Sequence, residues 1–457
     1  MKSLLRLTLV ITAGAALAAT ALAQSAPSPF QRDGQADPDF AVPDALNLSY
    51  ALSFALDNNF SIRQAKERLR QQEGIVLEVR AQQLPSLSAS AGYSRLDREI
   101  SSTGENRSWN VGITARQVLF AGGGVRSAVK SQQLALEAAT LEMQAVIDAA
   151  LLDVRTRYYN VLVSRERIKV QEQNVELLQR QLHDVRNRFE AGTVSNFEVL
   201  RAEVALANAQ PPLISARNNY RIAIEELRQA LGFTNTDTGN VAKIPEFVGS
   251  LEFTPVSFEL SSALSTAKAR RPDLQRLRKL GLAAEENVKA RQANYYPDLS
   301  LVGGYQNSKR AGSSSFSDGR DGFSIGLQST WDIFDAGATR GRVVQARSQL
   351  QQTQLAFEEA ELSVSVEVRR ALSSLQEATE LAEASKRVVE QADEAVRLAD
   401  ARYSAGTATQ LDVLQARTDL TTARLNQIEA YYRFNVAHAS VRRAMGLPDE
   451  SVAGERN

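Results

Sequence analysis

Arg402–Ala416 reads RYSAGTATQLDVLQA, and Arg188–Ala202 reads RFEAGTVSNFEVLRA. An aromatic residue, Ala-Gly-Thr and a later acidic residue recur in the same order. Gly406 stands 214 residues after Gly192. Each copy has the chemistry of a tight turn between two helices. Glycine takes the positive φ that ends a helix. The hydroxyl residues beside it, Thr193 and Ser195 in one copy and Thr407 and Thr409 in the other, are suited to cap the helix that returns. The expectation is a pair of helical tips, each at the end of a long rod.

Working outward, the rod before the first tip runs from about Gly124 to Glu190 without a proline. Nearly seventy residues at about 1.5 Å each make a helix on the order of 100 Å. Val175, Leu178, Leu182, Val185 and Phe189 step by three and four near the tip, as do Val389, Ala392, Val396, Ala399 and Tyr403. Such a seam requires a partner helix along its length. The returning helix runs to Gly232, and Pro211-Pro212 inside it is expected to kink or break it. Farther out, a helical pattern spans Asn47 to Pro85, and SLSASAGYSRL (Ser86–Leu96) alternates apolar and small polar residues, the signature of a strand. A second alternating stretch carries Trp109, Val111 and Ile113, after a polar turn at Gly104-Glu105-Asn106.

The whole pattern recurs. Ala51-Leu52-Ser53 returns as Ala263-Leu264-Ser265, and Gly92-Tyr93 as Gly304-Tyr305, at an offset of 212 that becomes 214 beyond the hairpin tip. The expected organisation is a signal peptide at 1–23, with Ala21-Leu22-Ala23 as its cleavage site, and an irregular segment at 24–45. Repeat 1 covers 46–232, with a hairpin at about 85–120 and a tip at about 188–202. A connector at 233–256 leads to repeat 2 at 257–446, with a hairpin at about 297–334 and a tip at about 402–416, then a tail at 447–457.

Composition excludes several classes. Lys plus Arg and Asp plus Glu both number 53, so no basic surface for nucleic acid is expected. There is no cysteine, which removes disulfides, thiolate zinc sites and an acylated N-terminal cysteine. The two histidines, His183 and His438, lie far apart. No nucleophile–base pair, phosphate loop or metal cluster is legible; Gly122–Gly124 lacks the lysine of a P-loop. No catalytic residue, metal or cofactor is expected.

Each strand has about the 9–11 residues that cross a bilayer. Leu299, Leu301, Tyr305, Phe323, Ile325, Leu327 and Trp331 fall on one face of the second hairpin. Ser300, Gly304, Ser324, Gly326, Gln328 and Thr330 fall on the other. Apolar outside and polar inside is the pattern of a water-filled barrel in lipid. Tyr93, Trp109, Phe120, Tyr295, Tyr296, Phe323, Trp331 and Phe334 stand near strand ends, where aromatic girdles belong. Four strands cannot close a barrel, and lipid does not tolerate an open edge. Several chains must therefore pool their strands.

At these residues the chain resembles the TolC-like outer-membrane efflux proteins. The likeness covers both repeats and is most specific at Tyr403, Gly406-Thr407, Leu411-Asp412-Val413-Leu414 and Ala416. The resemblance implies a mainly α fold with transmembrane β: an internally duplicated helix–β-hairpin–long helix–helix chain. It implies a homotrimer whose 12-stranded outer-membrane β-barrel continues as a periplasmic α-helical barrel. The function implied is a passive channel-tunnel of a tripartite efflux pump or type I secretion system, with a periplasmic adaptor and an inner-membrane pump as partners and outer-membrane lipid around the barrel. In the family, acidic rings line the narrowest point. Asp412 matches the first, while Gln415 stands where the second would be. Tyr403 matches a latch tyrosine, Glu198 an acidic residue of the first tip, and Ala408 replaces the latch arginine, for which Arg201 is the nearest substitute. Gly192, Thr193, Gly406 and Thr407 would meet the adaptor. The competing expectation is a structural periplasmic coiled-coil protein without channel activity, which has no need of the alternating strands.

Overall fold

A computed structural model of the chain describes residues 45–95, 97, 107–233, 245–309 and 319–449. The chain divides into two units. One, residues 46–238 with 247–457, holds all the described helices and the large sheet. The other, residues 1–45 with 239–246, contributes only Ala45, Pro245 and Glu246 to the described residues. The turn expected at Gly104-Glu105-Asn106, the signal peptide and the end of the tail lie outside the described residues.

In chain order, β1 (Ala45–Leu46), α1 (Leu48–Asn58) and α2 (Phe60–Ala81) precede β2 (Ser86–Arg95) and β3 (Arg107–Ala121). The first rod is α3 (Gly124–Glu190) and its return α4 (Asn196–Leu231). After β4 (Glu246–Phe247), which pairs with β1, the series repeats. Here α5 (Leu260–Arg270), α6 (Pro272–Gln292), β5 (Asp298–Lys309), β6 (Gly319–Thr330), α7 (Ala338–Ser404) and α8 (Gln410–Ala444) follow. Both rods have 67 residues, about 100 Å of helix.

Three local expectations are corrected. The pattern from Asn47 to Pro85 is two helices, not one. Asn59 takes an extended ψ of 128° and its carboxamide oxygen accepts from the N–H groups of Ser61 and Ile62. Its Nδ2 donates to Ala230 O at 2.6 Å, pinning the break to the end of α4. In repeat 2 the same break falls at Arg271, which Pro272 forces out of the helical region. Secondly, of the kink or break expected at Pro211-Pro212, the break does not occur: α4 is continuous through both prolines. The carbonyls that lose their donors belong to Ala207 and Asn208, both exposed and so open to solvent, which lowers the cost of losing them. Thirdly, β6 ends at Thr330, so Trp331 lies past the strand and its indole N–H donates to Tyr295 O at 3.2 Å.

The four long strands form one antiparallel sheet in the order β2-β3-β5-β6. The register aligns the alternation across all four. Ala89 opposes Ile113, Ile113 opposes Tyr305, and Tyr305 opposes Phe323. On the other face Ser90 opposes Gly112, Thr114 opposes Gly304, and Gly304 opposes Ser324. One face is therefore apolar and the other small and polar. The apolar face is uncovered: Phe323, Ile325 and Leu327 are 85%, 76% and 67% exposed. A bulge between Val118 and Phe120 shifts the register by one residue, and pairing resumes at Phe120 and Ala121 just before α3 begins.

Beside the sheet, α3 is lined by α2 and α6; toward the tip it is lined by α4 and α8. The rod α7 is lined by α6 and then α8. The seam on α3 finds the partner its spacing required. Val175 and Leu178 pack with Ala209 and Leu213, and Leu182 and Val185 with Val199 and Ala202. Phe189, the last seam residue, stays exposed. Midway along the rod, Leu52, Tyr158, Ile224 and Phe247 share one core where α1, α3, α4 and β4 meet. Tyr158 is 1% exposed and its hydroxyl donates to the carbonyls of Leu46 and Val248, and burial pushes the phenol up to about 12.

Candidate functional site

Both tips are built by the same hydrogen bonds. At the first, Gly192 has φ +74°, its N–H donates to Phe189 O, and the N–H of Thr193 donates to Arg188 O. At the second, Gly406 has φ +74°, with Gly406 N to Tyr403 O and Thr407 N to Arg402 O. This 6→1 and 5→2 pair is the Schellman closure of a helix C-terminus, and it needs a left-handed residue at the glycine.

The hydroxyls divide differently from the expectation. Thr193 and Thr407 do not cap the returning helices; their Oγ1 atoms donate backwards, to Arg188 O at 2.9 Å and Arg402 O at 3.1 Å. Ser195 makes no side-chain cap. Only Thr409 caps, in a reciprocal box with Asp412. The Asp412 N–H donates to Thr409 Oγ1 at 3.3 Å, and the Thr409 N–H donates to Asp412 Oδ2 at 2.7 Å. The N–H and hydroxyl of Thr409, then the charge of Arg402, hold the Asp412 carboxyl below its ordinary value. Within one chain this aspartate is therefore firmly ionised and aimed at its own helix end.

The other expected residues are placed as follows. Glu198 stands in the first turn of α4, half-buried, and Gln415 is exposed with its Nε2 donating to Asp419 Oδ1 at 2.9 Å. The Arg201 guanidinium lies 4.8 Å from the centroid of Phe197 on its own helix. Tyr403 is engaged from the other tip: Arg188 lies over its ring at 5.0 Å. Thus Arg188 and Tyr403 bring the two tips together, and Gly192 and Gly406 both face open space where a Cβ meets nothing within 4 Å.

Behind the tips runs a ladder that reading the sequence missed. Arg417 on α8, with a side chain 14% exposed, donates through Nη2 to Asp400 on α7 at 3.0 Å and through Nη1 to Gln181 on α3 at 2.7 Å. One heptad on, Arg424 repeats the reach, to Asp393 at 3.0 Å and Gln173 at 3.4 Å. Farther along, Arg167 on α3 meets Glu429 on α8 at 2.6 Å. The signal was present: Gln410, Arg417 and Arg424 occupy one heptad position otherwise continued by Tyr431 and His438, where apolar residues are usual.

Comparison with known proteins accords with this architecture. The family model described as outer membrane efflux protein matches twice, at residues 51–233 and 263–447. Protein CyaE of Bordetella pertussis is 27% identical over 433 residues, covering 93% of this chain and 89% of its own. Outer membrane protein TolC of Escherichia coli is 25% identical over 386 residues, covering 82% and 76%. Among solved structures, the CmeC outer membrane channel of Campylobacter jejuni superposes with a TM-score of 0.75 at 18% identity, covering 90% of this chain and 88% of its own. The outer membrane protein VceC of Vibrio cholerae gives 0.72 at 20% identity, covering 87% and 96%. With both repeats matched, and with the hairpins and paired rods in place, this chain belongs to the outer membrane efflux protein family.

Proposed function

We propose that the chain is one subunit of a passive outer-membrane exit duct, in which three copies close a 12-stranded barrel and a periplasmic helical tunnel. One observation carries this reading. The sheet is open at β2 and β6, and its apolar face is bare. Lipid covers such a face, but only after the edges are paired.

The duplication supports one position for the neighbour. Lys130, Arg167 and Asn174 on α3 touch repeat 2, through Glu286, Glu429 and Thr421. Their counterparts 214 residues on are Val344, Leu381 and Val388 of α7, which are exposed. The face that α3 fills with repeat 2 is left unfilled on α7. Another repeat 1, from a second copy, fits there. The bare apolar residues of α4, Phe197, Leu200, Val204 and Ile214, lie at heptad spacing on the opposite edge.

In the assembled duct the α7–α8 tips converge. Asp412 and Gln415 line the constriction, with Tyr403, Glu198 and Arg201 around it. Gly192, Thr193, Gly406 and Thr407 form the outermost surface, which an adaptor from the inner-membrane pump caps. Carboxylates from several chains then face one another and attract cations. Repulsion among them opposes the depression that Thr409 imposes on each Asp412 carboxyl.

The test is conductance of the purified protein in planar bilayers. Stepwise, symmetric openings are expected, blocked by divalent cations from the tip side. Asp412→Ala is expected to weaken that block about tenfold or more, in line with the loss of a ring of charges. Unchanged block removes Asp412 from the constriction; no conductance at all removes the duct.

A further inference from the structure

The end of the sheet farthest from the helices carries a charge pattern that conduction does not use. Arg95 closes β2, Arg107 opens β3, and the two stand directly opposite each other. Directly opposed residues share a face. The next pair inward on that face is Tyr93 with Trp109, so the arginines lie on the apolar, outward face. Lys309 ends β5 on the same face, and its Nζ donates to the carbonyl of Arg107 at 3.1 Å. Lys309 is buried and level with Trp109, since Asn110 opposes Ser308, so it braces Arg107 from below; two adjacent strands each present an exposed arginine one step beyond the aromatic residues.

Like charges set directly opposite one another destabilise a sheet. Nothing described nearby offsets the two arginines. Asp321, the carboxylate on this face of the strands, is engaged by the Tyr305 hydroxyl, and Asp97 lies two residues past the end of β2. Both arginines are exposed and neither enters an ion pair with a described residue. Two residues along a strand advance about 7 Å, which lifts the cations from the aromatic girdle to the depth of lipid headgroups. Guanidinium forks match phosphate oxygens in pairs.

We propose that Arg95 and Arg107, the latter braced by Lys309, form a binding site for the phosphorylated headgroup of an anionic lipid in the outer leaflet. The site rests on the reading that the apolar face meets lipid. It fixes the height of the barrel in the membrane and turns a repulsive pair of arginines into a lipid clamp.

The experiment measures lipid retained by the purified full chain in detergent, by native mass spectrometry. The probes are diphosphoryl lipid A and zwitterionic phosphatidylethanolamine. The wild type is expected to keep lipid A selectively. At roughly fivefold per basic residue at an anionic surface, R95Q with R107Q is expected to lose about 25-fold in retention. R320Q is the control, because Arg320 shares the polar face with Ser308 at the same rim; it is expected to bind as the wild type does. Equal retention by the double variant overturns the site, and equal loss in R320Q reduces it to general charge attraction. Displacement of lipid A by excess inorganic phosphate overturns the lipid as the occupant. A chain that conducts in bilayers but shows no arginine-dependent retention refutes the clamp alone. A chain that keeps the lipid selectively but never conducts refutes the duct alone.

Discussion

Gly406 and Gly232 both hold left-handed backbone, with φ of +74° and +81°. Their surroundings are opposite. A Cβ on Gly406 meets nothing within 4 Å, whereas one on Gly232 meets Asn58 O at 2.3 Å and the Asn58 carbonyl carbon at 2.8 Å. Gly406→Ala is therefore expected to cost only the left-handed strain, about 1–2 kcal/mol. Gly232→Ala adds a clash against backbone, which has no rotamer to move, at the junction where Asn59 joins α2 to α4. Its total is expected to exceed that of Gly406→Ala by about 1–3 kcal/mol. Urea unfolding of the two variants separates them. The same contrast makes Gly406 a clean probe of docking: Gly406→Gln is expected to leave assembly intact and to lower export in cells. Normal export in that variant counts against an adaptor at the tip. Both glycines are legible in the sequence as helix ends, but nothing local to Gly232 reveals Asn58 beside it, because that contact joins residues far apart in the chain.

The elements were legible to the extent that periodicity decides them. Seam spacing marked α3 and α7, and alternation marked the strands, because each pattern repeats over many residues. The break at Asn59 was not, since its apolar pattern continues across it; what ends α1 there is a single side chain that caps α2 and holds Ala230. Nor did the two prolines stop α4, because their orphaned carbonyls reach solvent. The ladder on α8 was missed for a related reason. Arginine at a heptad core position reads as a surface residue until the carboxylate and carboxamide on two other helices are known. Its lower rung is the more enclosed: Arg417 is 14% exposed and Arg424 37%. Arg417→Met is expected to weaken the hold of α8 on α3 and α7 by about 1.5–3 kcal/mol, the worth of hydrogen bonds to a charged group. Arg424→Met is expected to cost less than about 1 kcal/mol, as exposed pairs do. Amide hydrogen exchange across residues 410–424 reads both; equal effects from the two substitutions argue that the ladder is surface decoration.

At the scale of the whole molecule, the test is whether the bare face of the sheet meets lipid. Ile325 and Gly326 are neighbours on β6, yet parity sends them to opposite faces: Ile325 opposes Gly303 and Gly326 opposes Val302. A Cβ on Gly326 meets nothing within 4 Å, so a larger side chain fits there. If Ile325 faces hydrocarbon, Ile325→Arg costs about 2–4 kcal/mol in every chain when it lies near the bilayer midplane, and a symmetric assembly incurs that cost once per subunit. Outer-membrane levels of this variant are expected to fall by more than tenfold, with the protein degraded or left in the periplasmic fraction. Gly326→Arg puts the same charge on the polar face, where water solvates it, and is expected to insert at near normal levels while reducing single-channel conductance. A soluble sheet predicts neither result, since an arginine on its bare face stays in water. Reversal of the pair, with Gly326→Arg excluded from the membrane and Ile325→Arg accepted, means that the polar face meets lipid and the barrel is inside out. Equal insertion of both variants means that the sheet does not reside in a bilayer.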